Sequence, residues 1–264
     1  HNSQLIQVDL SGVDAIERAT DQSENLIAGL TRFLFSTHLT KVQRLFLKSN
    51  NLKDHFITAL ITSCMEKKSK LSIVMPLEIV DISKNHLTDI SLISFIDLLS
   101  SFKSISDHIS YLNISYNPFT DVALHYIAKW LTLPRPTSLQ YTLQQNDVAP
   151  YKPINISHLY IQGSLCSDKG FIDLAGSLLW HVHLTVLDLS SCNKLGDAGI
   201  AALTRMLQIN ESLEVVKFAQ IKLNHQALTA LRLFYRYGMA AQNPDLFGNQ
   251  TFSLVGLASE YTPQ

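Results

Sequence analysis

A short apolar pattern recurs seven times along this chain, and it limits the fold more than any other feature. Each copy places apolar residues at a first position, three positions later and five positions later. The copies begin at Leu5, Val42, Leu77, Ile109, Ile156, Leu184 and Leu213. The pairs that follow are Val8 and Leu10, Leu45 and Leu47, Val80 and Ile82, Leu112 and Ile114, Leu159 and Ile161, Leu187 and Leu189, and Val216 and Phe218. Residues two apart share one face of a strand, so each pair faces inward from a short strand. The intervals between copies are 37, 35, 32, 47, 28 and 29 residues. One such strand cannot bury its apolar face alone. The copies must stack, which makes the chain a linear array rather than one enlarged core.

Two polar positions keep the same register. Asn50, Asn85 and Asn117 each lie eight residues after the first apolar residue, and Cys192 takes that place in the sixth copy. Val13, Ser164 and Ile221 occupy it elsewhere. A polar side chain just past a strand can satisfy backbone groups that leave the sheet and still need partners. Asp54, Asp89, Asp121 and Asp168 lie twelve residues after the first apolar residue, and Asp197 lies at thirteen. From each Asp an apolar stripe runs at helical spacing, as in Ile57, Leu60 and Cys64, or Phe171, Leu174 and Leu178. Each Asp therefore either caps a helix or lies in its first turn, where unpaired N–H groups favour a carboxylate. Its recurrence at every helix start speaks against catalytic use. Cys64, inside a stripe, reads as a small buried hydrophobe.

The whole unit is clearest from Leu184 to Ser212, LTVLDLSSCNKLGDAGIAALTRMLQINES. This stretch resembles the ribonuclease-inhibitor-like class of leucine-rich repeat, a strand followed by a helix. The last two intervals, 28 and 29 residues, match that class, and the earlier ones carry insertions. The resemblance covers Leu5 to Arg236. It implies an α/β solenoid, a horseshoe with a parallel β-sheet on its concave face and α-helices on its convex face. It also implies a single domain over residues 1–264 with about seven repeats. The function it implies is a non-catalytic protein–protein interaction module. Two alternatives stay open: an enzyme inhibitor of the ribonuclease-inhibitor type, and the recognition domain of a larger enzyme. The irregular insertions and the Ser-, Asn- and Ile-rich surface also look like effectors that intracellular bacteria deliver into host cells.

Two segments depart from the pattern. Residues 133–153 contain Pro134, Pro136, Pro150 and Pro153. Proline continues neither a helix nor a central strand, so this is a loop inserted between the fourth and fifth strands. After Arg236 the pattern stops, and residues 238–264 read as a C-terminal cap or tail, with TFSLVGL as one more strand. At the other end, either Leu5 to Leu10 is a tolerated edge strand, or the chain is a piece of a longer protein.

Charge and composition narrow the partners. The formal net charge is −1, which offers no footprint for nucleic acid. No apolar run reaches the ~18 residues of a membrane span. The start lacks the basic-then-apolar plan of a secretory signal. Cys64, Cys166 and Cys192 are odd in number and far apart, which argues against a disulfide framework and for a reducing compartment. The expectation is a cytoplasmic monomer, in the host cytoplasm if the chain is a secreted effector. The sequons at Asn113, Asn155, Asn210 and Asn249 are then chance matches. His181 and His183 suggest a metal pair but lack the further ligands zinc needs. There is no phosphate-binding glycine loop, no nucleophile elbow and no Cys-x-x-Cys. The expectation is no metal, no cofactor and no enzyme activity.

The remaining chemistry lies on the outward strand positions. One row reads Gln7, Arg44, Ile79, Tyr111, His158, Val186 and Val215, and the next reads Asp9, Phe46, Asp81, Asn113, Tyr160, Asp188 and Lys217. In a horseshoe these line the concave face. Arg44, Phe46, Ile79, Asp81, Tyr111, Asn113, His158 and Tyr160 form the candidate partner-binding patch, aromatic and apolar groups among charges. Cross-strand pairing on an exposed sheet is the structural alternative. The inserted loop yields the first testable expectation. As a loop outside the array, residues 133–153 replaced by a short Gly/Ser linker should leave the melting temperature near wild type, because closure entropy varies slowly with length. A large drop would show that the insertion packs against the solenoid.

Overall fold

The computed structural model describes residues 7–13, 28–29, 42–70, 77–101, 108–132, 154–221, 229 and 253–255. Three-residue strands follow one another as β1 (Gln7–Asp9), β2 (Arg44–Phe46), β3 (Ile79–Asp81), β4 (Tyr111–Asn113), β5 (His158–Tyr160), β6 (Val186–Asp188), β7 (Val215–Lys217) and β8 (Ser253–Val255). They form one open parallel sheet in chain order. Helices α1 (Asp54–Lys70), α2 (Asp89–Ser101), α3 (Asp121–Thr132), α4 (Asp168–Leu178) and α5 (Asp197–Leu207) alternate with β2 to β6. The fold is an α/β leucine-rich-repeat solenoid. The 133–153 insertion lies outside the described residues, as does the 238–264 tail except for β8, the additional strand expected there.

The strands are centred on the first inward residue of each pair, Leu45, Val80, Leu112, Leu159, Leu187 and Val216, with Val8 in β1. Register is continuous: Arg44 pairs with Ile79, Ile79 with Tyr111, Tyr111 with His158. The second inward residue lies just past each strand, yet the ladder continues there. Leu47 N–H donates to Asp81 O at 2.8 Å, and Ser49 N–H to Ser83 O at 3.0 Å. Both inward residues from β2 to β7 are buried, while Val8 and Leu10 of β1 are only partly buried. The stripes of α1 to α5 close the other side of this core, with Ile57, Leu99, Leu124, Phe171 and Leu203 among its buried members. Cys64 is buried with them.

Past β1 to β7 the chain passes through a left-handed residue at one fixed position, with Asn51 a second one in the β2 turn. Gly12, Ser49, Lys84, Tyr116, Gly163, Ser191 and Gln220 all have φ between 54° and 70°. Each lies seven residues after the start of its copy. Five are not glycine, and each such residue costs on the order of 1–2 kcal/mol. The repeated hydrogen bonds at the turn hold them there. At Gly163 glycine is also needed for space, since a Cβ there would meet the Tyr116 ring at 2.6 Å.

The turn strands carbonyl groups, and the polar residue at the next position collects them. Asn85 Nδ2 donates to Leu47 O and Ile82 O, both at 2.9 Å, and its Oδ1 accepts Asn50 N–H and Leu52 N–H, both at 3.0 Å. Asn117 Nδ2 donates to Ile82 O and Ile114 O at 3.0 Å, and its Oδ1 accepts Leu87 N–H at 3.1 Å. Cys192 Sγ–H continues the ladder to Ile161 O at 3.3 Å. Each rung therefore ties its own repeat to the preceding one.

The aspartates tie repeats in the forward direction. Each opens its own helix, so the first-turn alternative is the one realised. The carboxylates of Asp54, Asp89, Asp121 and Asp168, however, bond to the start of the next helix. Asp89 Oδ1 accepts Thr120 N–H at 2.7 Å and Ala123 N–H at 3.2 Å, and Oδ2 accepts Thr120 Oγ1–H at 2.6 Å. Asp121 does the same for Ser167 and Gly170, and Asp54 for Thr88. Close approach requires a small residue two positions into each capped helix. A Cβ at Gly170 would meet Asp121 Oδ1 at 2.6 Å. Burial raises the Asp54 carboxyl, but hydrogen bonds from Ser91 and Thr88 outweigh it and hold its pKa below the usual value.

The Asn rungs set the stability expectation. Asn117→Ala removes one acceptor and two donors from a buried site. It should lower unfolding free energy by ~1–3 kcal/mol in urea denaturation. Unchanged stability would show that the ladder is dispensable.

Candidate functional site

The concave face splits into two kinds of residue. The first kind locks turns. Asp81 Oδ1 accepts Ser83 N–H at 2.9 Å and Ser83 Oγ–H at 2.5 Å, and Asn113 Oδ1 accepts Ser115 N–H at 3.1 Å. Asp9 binds Ser11 N–H at 3.0 Å, and Asp188 binds Ser190 N–H at 3.1 Å. A short acceptor two residues before a serine recurs in four repeats, a signal visible in the sequence as Asp-x-Ser and Asn-x-Ser. Asp81 and Asn113, two of the partner-binding candidates, thus have structural work. Asp81 is only 7% exposed, and its Oδ2 accepts Asn113 Nδ2–H at 3.1 Å.

The second kind forms an aromatic cluster. Strand pairing sets Tyr111 beside His158, and Asn113 beside Tyr160. The Tyr111 and Tyr160 ring centroids are 5.0 Å apart, Tyr111 and His158 6.0 Å, and His158 and Tyr160 6.4 Å and nearly parallel. All three side chains are half-buried. His158 Nδ1 is 2.8 Å from Ser157 Oγ, which orients the imidazole. Burial pushes the Tyr111 phenol up to about 12, with Tyr160 and Asp81 adding to it. Burial and then Asp188 raise Tyr160. Burial lowers His158 more than Glu214 raises it. At neutral pH the cluster is therefore an uncharged aromatic surface with hydroxyl and imidazole edges.

Arg44 is exposed, and Phe46 and Ile79 are half-buried on β2 and β3. The aromatic contacts gather Tyr111, His158 and Tyr160 but not Phe46. Two residues outside the candidate set belong to the same surface. Lys217 Nζ lies 5.8 Å from the Tyr160 ring centroid and 3.6 Å from Asp188 Oδ2. Asp188 also accepts a hydrogen bond from Gln162 Nε2. Their place in the outward row was readable. Their mutual contact follows from register, which sets Tyr160 beside Asp188 and Asp188 beside Lys217.

Other chemistry is not assembled. Among the described residues no group of three or more His, Cys, Asp or Glu side chains is gathered as a metal would require. No helix among them is long and apolar enough to cross a membrane. Burial pushes the Cys166 thiol up to about 12 and raises Cys192, which disfavours the reactive thiolate. The His181–His183 pair has a different role. His181 is 7% exposed, and its Nδ1 accepts Leu184 N–H at 3.1 Å. In the next repeat Asn210 closes the same turn, its Oδ1 accepting Leu213 N–H at 2.8 Å. His181 stands in for an asparagine between helix and strand.

The Leucine Rich repeat family model matches residues 181–203, the end of one unit and most of the next. No curated protein matches the chain. A solenoid of this kind is generally a binding scaffold rather than an enzyme, and its usual ligand is another protein.

His181 generates a pH expectation. Burial, and secondarily His183, lower its pKa from 6.5 to about 4. The unfolded chain takes up the proton near pH 6.5, and the folded chain refuses it until about pH 4. The neutral ring's contribution is thus present above pH 6.5 and is lost as pH falls through 4. That loss is on the order of 3 kcal/mol. His181→Asn should remove this part of the acid destabilisation in melting curves between pH 7 and pH 4. Identical pH slopes for variant and wild type would refute the assignment.

Proposed function

We propose that this chain is a non-catalytic protein-interaction module that takes a partner protein on its concave face. The contact centres on Tyr111, His158 and Tyr160, with Arg44, Phe46, Ile79, Asp81 and Asn113 around them. The observation that carries the reading is the half-buried aromatic cluster on the sheet face away from the helices. Interface energy concentrates in such rigid aromatic groups, and tyrosine is enriched among them. Their rings are already fixed by contact with one another, so little side-chain entropy remains to be lost on binding. Phe46 lies three strand steps from Tyr160, about 14 Å along the sheet, within the reach of one partner surface.

Affinity capture with wild type identifies the partner, and dissociation constants of variants then test the face. Tyr111→Ala and Tyr160→Ala should each weaken binding by ~2 kcal/mol or more, and Phe46→Ala measurably, with circular dichroism unchanged. Val215→Ala, on the same face toward its far end, is the control and should bind as wild type does. Wild-type affinity in all three aromatic variants would move the interface off the concave face.

A further inference from the structure

The turns that leave the sheet form a second surface, past the ends of the strands and outside the rows of the concave face. Their backbones bond in series, and this fixes which side chains are neighbours. Ser49 N–H donates to Ser83 O, Lys84 N–H to Ser115 O at 2.8 Å, Tyr116 N–H to Gln162 O at 2.6 Å, and Gly163 N–H to Ser190 O at 2.9 Å. Ser49, Lys84, Tyr116 and Gly163 therefore stand in one row, one residue per repeat. A second row runs beside it, two residues further along each repeat. There His86 N–H donates to Leu52 O at 2.8 Å, and Leu165 N–H to Phe119 O at 3.0 Å, which puts Leu165 beside Pro118.

Tyr116 is the unusual member of the first row. A left-handed backbone, here at φ 55°, is rare for so bulky a residue. Its ring lies over Gly163, in the space a Cβ there would need, and Lys84 Nζ is 5.8 Å from the ring centroid. The glycine beneath and the lysine beside it locate the ring, yet Tyr116 is 43% exposed. Leu165 is 44% exposed, and Pro118 is exposed with them. Together they make an apolar patch open to solvent.

The margin of this patch carries one sign of charge. Among the described residues, the turns after β2, β3 and β4 expose Lys48, Lys53, Lys84 and His86 and expose no acid. The aspartates that end these turns, Asp54, Asp89 and Asp121, are half-buried. Both oxygens of each are bonded at the start of the following helix. An exposed apolar patch with a cationic margin complements a segment that is acidic and carries an apolar anchor of its own.

We infer that this turn surface is a docking site for an acidic segment of a partner protein. Carboxylates of the segment pair with Lys84 and Lys48, and a large apolar side chain close to them lies on Tyr116 and Leu165. The fold sets the spacing. Lys84 and Leu165 are two repeats apart, ~10 Å at the strand separation of a sheet. An extended chain covers that in about three residues. The inference does not rest on the concave-face reading, because the surface lies on different residues and its failure leaves that reading standing.

The test is an NMR titration of the isotope-labelled full chain at low salt. The probe is a short peptide of three glutamates, a glycine and a tryptophan. One comparison peptide has lysines for the glutamates, and another has glycine for the tryptophan. The probe should shift the amides of Lys84, Tyr116 and Leu165 along saturable curves, and both comparisons should bind at least about fivefold more weakly. Tyr116→Asn removes the ring and leaves a residue that tolerates the left-handed turn. Lys84→Gln removes the charge at an exposed position. Each should weaken the probe about threefold to tenfold with the melting temperature near wild type. Lys84→Glu should turn the preference toward the lysine peptide. Lys129→Gln, an exposed lysine near the end of α3, should bind as wild type does and so exclude a net-charge effect. Absence of saturable shifts, equal binding of the lysine peptide, or wild-type affinity in both Tyr116→Asn and Lys84→Gln would overturn the inference. An oligothymidylate that bound these residues more tightly than the peptide would overturn it in favour of a nucleic acid.

Discussion

Backbone groups left without partners where the chain leaves the sheet are the constraint on which this structure depends. A three-residue strand satisfies few of its own groups, and the left-handed turn after it aims carbonyls away from the next strand. Asn50, Asn85, Asn117 and Cys192 answer that demand from one position. The bonds reach backward to the preceding repeat, so a turn is stable only when its neighbour is formed. The turn residues Ser49, Lys84, Tyr116, Ser191 and Gln220 tolerate a left-handed backbone in this setting. Local strain is offset by contacts that belong to the array.

The aspartates give the array its forward linkage. In an isolated helix an N-terminal Asp stabilises the helix that contains it. Here the carboxylates that open α1 to α4, with Asp54 among them, bond to the start of the following helix, across repeats that are 28 to 49 residues apart in sequence at the bonded positions. Backward rungs from Asn50, Asn85, Asn117 and Cys192 and forward Asp caps couple neighbouring repeats in both directions. In a linear array the interface between repeats contributes much of the stability, so this coupling sets how cooperatively the solenoid unfolds. In β1, which pairs with β2 alone among the described strands, the inward residues Val8 and Leu10 are only partly buried.

The concave face inherits its chemistry from the same geometry. Parallel register stacks equivalent positions along rows, so three aromatic residues on two strands become one cluster, and an acid and a lysine on the next two become its charged border. Part of that row is occupied in closing turns, as Asp9, Asp81, Asn113 and Asp188 show. A residue on this face can therefore serve the fold and the surface together. Asp81 has one oxygen on Ser83 and the other on Asn113 of the neighbouring strand.

The sequence by itself determined the strand positions, their order and which residues face inward. The period-two pattern and the fixed Asn and Asp offsets are local signals, and local signals survive in sequence. It also placed Tyr111, His158 and Tyr160 on the outward rows. Tertiary structure decided what no single repeat contains. It directed Asp54, Asp89, Asp121 and Asp168 to the neighbouring helix rather than their own, revealed a left-handed residue at one fixed position after β1 to β7 where only Gly12 and Gly163 advertise it, and turned His181 from half of a metal pair into the counterpart of Asn210. It also joined Lys217 to Asp188 and Tyr160. Each of these depends on which group of the adjacent repeat lies within hydrogen-bonding reach, and that distance is set by stacking, not by spacing along the chain.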